Sequence, residues 1–159
     1  MRAVALLLVL TACGRAEPAA DTPGARLEAA AVARGLVPDP ASGSLVGSWA
    51  SDTDRLCVAP AGDRLRVGVV VDYGEGQGCA GSGTAERKGD RLMLTMGQCK
   101  FDARYDGERV VFPAALPDAC AALCTGRASL SALSVARLSE SASEAATLRA
   151  PNGWLLCGG

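Results

Sequence analysis

The sequence predicts a mainly β (α+β) domain: a small antiparallel meander or barrel-like sheet with one or two short helices, stapled by disulfides. Three observations carry this. From about Gly43 the chain breaks into short runs whose apolar residues alternate with polar ones, the period-two pattern of strands with one buried face. Gly-Asp pairs punctuate those runs as turns. Finally, seven cysteines sit in a chain of 159 residues whose 49% hydrophobic content is shallow: it includes 30 alanines, no isoleucine and six aromatic residues. A core so poor in large side chains is one that covalent staples reinforce.

In chain order, Met1-Arg2 is a short positive segment and Ala3–Leu10 an eight-residue apolar run. That run is far below the ~20 residues a membrane-spanning helix needs, so residues 1–12 read as a secretory signal peptide. The segment ends Leu10-Thr11-Ala12-Cys13-Gly14. It resembles the lipobox of bacterial lipoproteins: an aliphatic residue, two small residues, then a cysteine that is lipidated and becomes the first residue. The resemblance covers residues 1–14. It implies lipidation of Cys13 with several acyl chains, palmitate among them, which together hold a protein stably where one chain is marginal. Gly14 in place of an aspartate implies the outer membrane, facing the periplasm, with the inner membrane as the alternative. Losing Arg2 with the signal peptide takes the formal net charge from −1 to −2.

Residues 13–42 form the lipidated Cys13 and a tether rich in Ala, Pro and Gly, with Pro18, Pro23, Pro38 and Pro40. Such a composition buries too little to offset the entropy of ordering. Within it, Thr22-Pro23 reads as the N-cap and first residue of a helix reaching Arg34, with Gly35 just beyond.

Residues 43–159 are the disulfide-rich β-domain. Leu65, Val67, Val69 and Val71 share one strand face, opposite Arg64, Arg66, Gly68 and Asp72; Leu92, Leu94 and Met96 repeat the pattern. Asp106-Gly107 predicts a two-residue hairpin turn. That turn sets Tyr105 against Glu108, Ala103 against Val110 and Phe101 against Phe112, with both phenylalanines on one face. One phrase recurs: Gly62-Asp63-Arg64-Leu65, Gly89-Asp90-Arg91-Leu92 and Gly107-Glu108-Arg109-Val110 each open a strand after a turn. Beyond Phe112 the expectations are a short helix over 116–124, a strand over 128–138, a helix over 139–149 and a final strand at Trp154–Cys157.

With Cys13 assigned to lipid, six cysteines remain: Cys57, Cys79, Cys99, Cys120, Cys124 and Cys157. In an exported chain an even number implies disulfides, and six allow 15 connectivities among which spacing does not choose. A metal site would rest on Cys120-x-x-x-Cys124, but only one such close pair exists and all-cysteine zinc sites ordinarily use two. No metal and no cofactor is expected.

Function is read mostly through exclusion. The chain has no histidine, which removes imidazole bases, His-based triads and His-containing metal sites. Balanced charge, 16 basic against 17 acidic residues, gives no reason to expect nucleic acid. The glycine-rich stretch Gly74–Gly83 lacks the Gly-Lys-Ser/Thr of a phosphate loop and reads as a flexible connection held by Cys79. There is no Gly-x-Ser-x-Gly elbow, and neither Lys88 nor Lys100 follows a serine at three residues. Asp52 with Asp54, or Asp72 with Glu75, could form an acid/base pair for a hydrolase. Each of these acids lies in or beside a predicted turn, where carboxylates are ordinarily solvated.

Gly47-Ser48-Trp49, at the first strand, resembles the Gly-x-Trp signature of lipocalins and related calycin barrels, and that resemblance implies eight strands around a ligand cavity. The domain is short for such a barrel, so a tryptophan plugging one end of a smaller β-domain is expected instead. Ser82-Gly83 followed by Lys88-Gly89 resembles parts of a motif of lysozyme inhibitors, with Ala85 and Glu86 where a tyrosine belongs, and no residue roles follow from it. The reading is a membrane-anchored periplasmic lipoprotein acting as a non-catalytic binding module for an envelope protein or glycan. The alternatives are a lysozyme or protease inhibitor using a rigid loop over Asp72–Gly83, and a carboxylate-dependent hydrolase.

Overall fold

The computed structural model describes residues 22–36 and 43–158; the expected signal peptide, Cys13 and part of the expected tether lie outside the described residues. The chain divides into two units, residues 1–37 and 38–159. In the first, helix α1 (Pro23–Ala33) starts where the sequence places it. Thr22 Oγ1 accepts from the Ala25 amide at 3.2 Å, and Pro23 fills a first-turn position that has no intrahelical partner to lose. Arg34 caps the other end and Gly35 follows in the left-handed region. The helix buries none of its residues.

The second unit is a closed barrel of eight antiparallel strands. They are β1 (Gly47–Ser51), β2 (Asp54–Ala61), β3 (Arg64–Gly74), β4 (Gln77–Lys88), β5 (Arg91–Met96), β6 (Cys99–Tyr105), β7 (Arg109–Val111) and β8 (Ser134–Ser139). Each pairs with the next, and β8 returns to pair with β1, which closes the barrel. The length argument for a smaller domain is therefore corrected: two- and three-residue turns between β1 and β7, with one long β7–β8 connection, fit eight strands between Gly47 and Ser139.

Odd strands all rise from one end, which we call the base, toward the other, the crown. The repeated Gly-acid-Arg phrase opens β3, β5 and β7, so its three copies are the three base turns. Inside, the faces expected from the alternation are met. Val67, Val69, Val71, Leu92, Leu94 and Met96 are buried together with Leu56, Val58, Phe101, Tyr105, Val110 and Val135. Phe101 and Phe112 meet edge-on, ring centres 4.8 Å apart. These side chains fill the barrel as one cluster, so its centre is a packed core and not a ligand chamber.

Three disulfides complete the structure: Cys57–Cys157, Cys79–Cys124 and Cys99–Cys120. Two of them pin the long β7–β8 connection across the crown. Cys120, in a 3-10 helix (Asp118–Leu123), bonds to Cys99 at the start of β6, and Cys124 bonds to Cys79 in β4. Cys120 and Cys124 thus go to different partners, and the closest cysteine pair in sequence does not act as a unit. The third bridge ties the C-terminal segment to the outside of β2. There Cys57, Ala59, Ala145, Ala150, Leu156 and Cys157 form a second, smaller core. This explains why Leu56–Ala59 is buried on both faces.

Several expectations are corrected. The Asp106-Gly107 hairpin pairs Tyr105 with Val110 and Arg104 with Val111, two residues away from the tight-turn register. Asp106 Oδ1 accepts from the amides of Glu108 and Arg109, at 3.0 and 2.7 Å, and this side-chain bridge opens the turn. A slip of two preserves every face, so both phenylalanines still point inward. Gly74–Gly83 is not a flexible connection: Glu75 and Gly76 turn the β3–β4 hairpin, and the rest is strand. The helix over 139–149 shrinks to α2 (Ala142–Ala145), capped by Ser141, whose Oγ accepts from the Glu144 amide. Trp154–Cys157 is not a strand of the sheet; Leu155 makes only an isolated bridge to Arg149, and β8 closes the barrel instead.

Candidate functional site

The crown and the base are built differently. At the base, Trp49 is fully buried and donates from Nε1 to the Leu45 carbonyl at 3.2 Å. Tyr105 packs against it edge-on, ring centres 5.7 Å apart. Arg137, from β8, lies over the Trp49 ring at 4.1 Å and donates from Nη2 to Tyr105 Oη at 2.8 Å and to the Ser44 carbonyl at 2.6 Å. Arg87 covers the Tyr105 ring at 4.5 Å and donates to the Gly43 carbonyl. Their hydrogen bonds go to the protein's own carbonyls and hydroxyls, which makes this end a structural plug. Trp49 does plug one end of the barrel, as expected. Arg137 was not foreseen. Its signal is its place after Leu133 and Val135 on the inward face of β8.

The crown carries the four acids named from the sequence, Asp52, Asp54, Asp72 and Glu75. Asp54 and Asp72, on neighbouring strands, come together: Asp54 Oδ1 lies 3.4 Å from the Asp72 amide, and Asp72 Oδ1 accepts from the Gly74 amide at 2.8 Å. The grouping crosses the two pairs named from sequence, because β2 and β3 are partners. Asp52 and Glu75 stand in left-handed turn positions. No acid among the described residues is buried. Asp54 and Asp72 face backbone amides, and Asp52, Asp72 and Glu75 are exposed to water.

Beside them the β3–β4 hairpin is held rigidly. Cys79–Cys124 anchors its base, and the Thr125 hydroxyl donates to the Gly76 carbonyl at 3.0 Å while accepting from the Gly78 amide at 3.2 Å. Gln77 Oε1 accepts from the Arg127 amide, and the Tyr73 hydroxyl donates to the Ser129 carbonyl. Tyr73 itself remains 58% exposed. Between this hairpin and the C-terminal segment runs an open groove of about 490 Å³ on the outside of the barrel. Val70, Ala80, Leu123 and Pro151 give it apolar walls, and Asp72 and Glu75 are its only charged lining residues. The turn that supplies Pro151 is closed by the Ala150 amide donating to the Trp154 carbonyl at 2.9 Å. Trp154 on that turn is 75% exposed.

Other motifs are dispersed by the fold. Ser82 and Gly83 lie mid-strand in β4, whereas Lys88 and Gly89 sit at the base turn. Cys13 lies outside the described residues. Comparison of the chain with protein-family models, with curated proteins and with solved structures finds no match.

Proposed function

We propose that the protein is an envelope lipoprotein, anchored through Cys13, whose barrel is a non-catalytic binding module for an envelope protein or glycan. The observation that carries the reading is the contrast between a barrel filled by its own side chains and an open, largely apolar groove outside it beside a pinned hairpin. A filled barrel has no room for a small ligand, so recognition falls to the surface. The lipobox resemblance supplies the anchor. Changing Cys13 to Ser should leave the precursor unprocessed or release the protein from membranes; unchanged fractionation refutes the anchor. For binding, affinity capture from cell envelope at several salt concentrations should recover the same component each time. Recovery of the bait alone counts against the reading.

A second reading, inhibition of a lysozyme or protease, is favoured by one specific feature. The tip of the β3–β4 hairpin is exposed yet fixed by a disulfide and by hydrogen bonds from Thr125 and Arg127, and rigid presentation reduces the entropy lost on binding an enzyme cleft. Micromolar protein should then slow lysozyme or a serine protease. Unchanged rates dispose of this reading and leave the first intact.

A further inference from the structure

We propose that the crown groove takes a segment of a partner protein in which lysine or arginine side chains stand beside apolar ones; this rests on the binding-module reading above. Charge complementarity selects the occupant. The groove's charged lining residues, Asp72 and Glu75, are both acidic and both exposed, while Val70, Ala80, Leu123 and Pro151 offer apolar contact. An apolar segment alone leaves the two carboxylates facing it unpaired, and an acidic one adds repulsion. A basic side chain can lay its hydrocarbon stem on the apolar wall and keep its charged head at the rim. Trp154, on the turn that supplies Pro151, is 75% exposed, and tryptophan is the residue type that most often anchors such contacts. Under the groove β3 is paired on both sides, and the far side of β4 meets the crown connection through the Cys79–Cys124 bridge and the Thr125 amide, which donates to the Gly78 carbonyl, so recognition runs through side chains and not through strand addition.

The probes are acetyl-(Leu-Lys)3-amide and its (Leu-Glu)3 counterpart, titrated into the full, oxidised chain in mild detergent. Amide chemical shifts give the site. Fluorescence reports on Trp154, since Trp49 is shut in the base. The basic peptide should shift amides in 70–80, 123–125 and 150–155, blue-shift the emission and weaken as salt rises. Asp72→Asn combined with Glu75→Gln should weaken it about three- to tenfold, the loss of two exposed ion pairs. The asparagine keeps the acceptor for the Gly74 amide, so the hairpin is preserved. Ala80→Trp, which fills the groove, should abolish the shifts. Equal binding of the acidic peptide, or an unchanged affinity after neutralisation, overturns the inference. The same holds if neither peptide moves these amides at millimolar concentration. Failure of the binding-module reading shows separately, as envelope capture that is absent in the unmodified protein; capture that persists in Ala80→Trp overturns the groove and leaves that reading standing.

Discussion

At the scale of single residues, Arg137 does several jobs at once. It stacks on Trp49, hydrogen-bonds Tyr105 and the Ser44 carbonyl, and so joins β8 to the segment that leads into β1. Its side chain is 19% exposed, so these contacts are partly shielded from water. Truncation to alanine removes a cation–π contact and leaves the Tyr105 hydroxyl short of a donor, which should cost about 2–3 kcal/mol in urea unfolding. Lysine should restore less than half, because an ammonium cannot stack flat and reach two acceptors together. Gly68 is a second such position, for the opposite reason. A Cβ there would lie 2.4 Å from the Leu156 Cβ and 2.8 Å from the Cys57 sulfur. Gly68→Ala should therefore push the C-terminal segment off the barrel at a cost of about 1–3 kcal/mol. Proteolysis at the C-terminus should rise more than the loss of Tm accounts for.

At the scale of elements, what the sequence revealed was faces, and what it concealed was register and glycine's purpose. Alternation placed Val67, Val69 and Val71 inward because strand side chains have no third choice, and the inward placement of Phe101 and Phe112 survived a two-residue slip for the same reason. The slip itself depends on which amides the Asp106 carboxylate captures, a local competition that periodicity does not encode. Gly74–Gly83 read as flexible from composition alone. In the barrel, a Cβ at Gly83 would sit 1.9 Å from the Thr95 carbonyl oxygen, so glycine serves close approach of two strands and not mobility. Such neighbours lie elsewhere in the chain, and a single sequence does not display them. The groove was hidden likewise: its hairpin, crown connection and C-terminal turn come from distant segments, although Asp72–Gly83 already stands out in the sequence as the loop an inhibitor would use. The Cys79–Cys124 bridge joins two of those segments. Replacing both cysteines with alanine should lower stability by about 2–4 kcal/mol. Amide exchange should quicken over 73–78 and 123–131 well before it does in β5 or β6. Uniform acceleration across all strands would mean that the bridge acts on the whole barrel and not on the hairpin.

At the scale of the whole molecule, the three bridges divide the work of holding a thin core. They close separations of 100, 45 and 21 residues, anchor in β2, β4 and β6, and reach the other five strands only through their neighbours. At about 2–4 kcal/mol each they sum to about 6–12 kcal/mol, comparable to the entire stability of a typical domain at about 5–15 kcal/mol. Alanine fills much of the hydrophobic count, and alanine burial returns little per residue. Complete reduction should therefore unfold the barrel at room temperature and neutral pH. The near-ultraviolet dichroism of the Trp49–Tyr105 pair should collapse along with far-ultraviolet strand signal, because β8 and β1 close the barrel through that plug. A reduced protein that keeps both signals would show the core to be sufficient by itself. The expected collapse has a consequence for where folding takes place. Glutathione and thioredoxin keep cytosolic thiols reduced, so under the proposed export this chain should stay unfolded until it reaches an oxidising compartment. That is also the condition in which a chain is translocated. In cells, retaining the chain in the cytosol by deleting residues 1–12 should give a protease-sensitive product, with full-length levels restored when the cytosol is made oxidising.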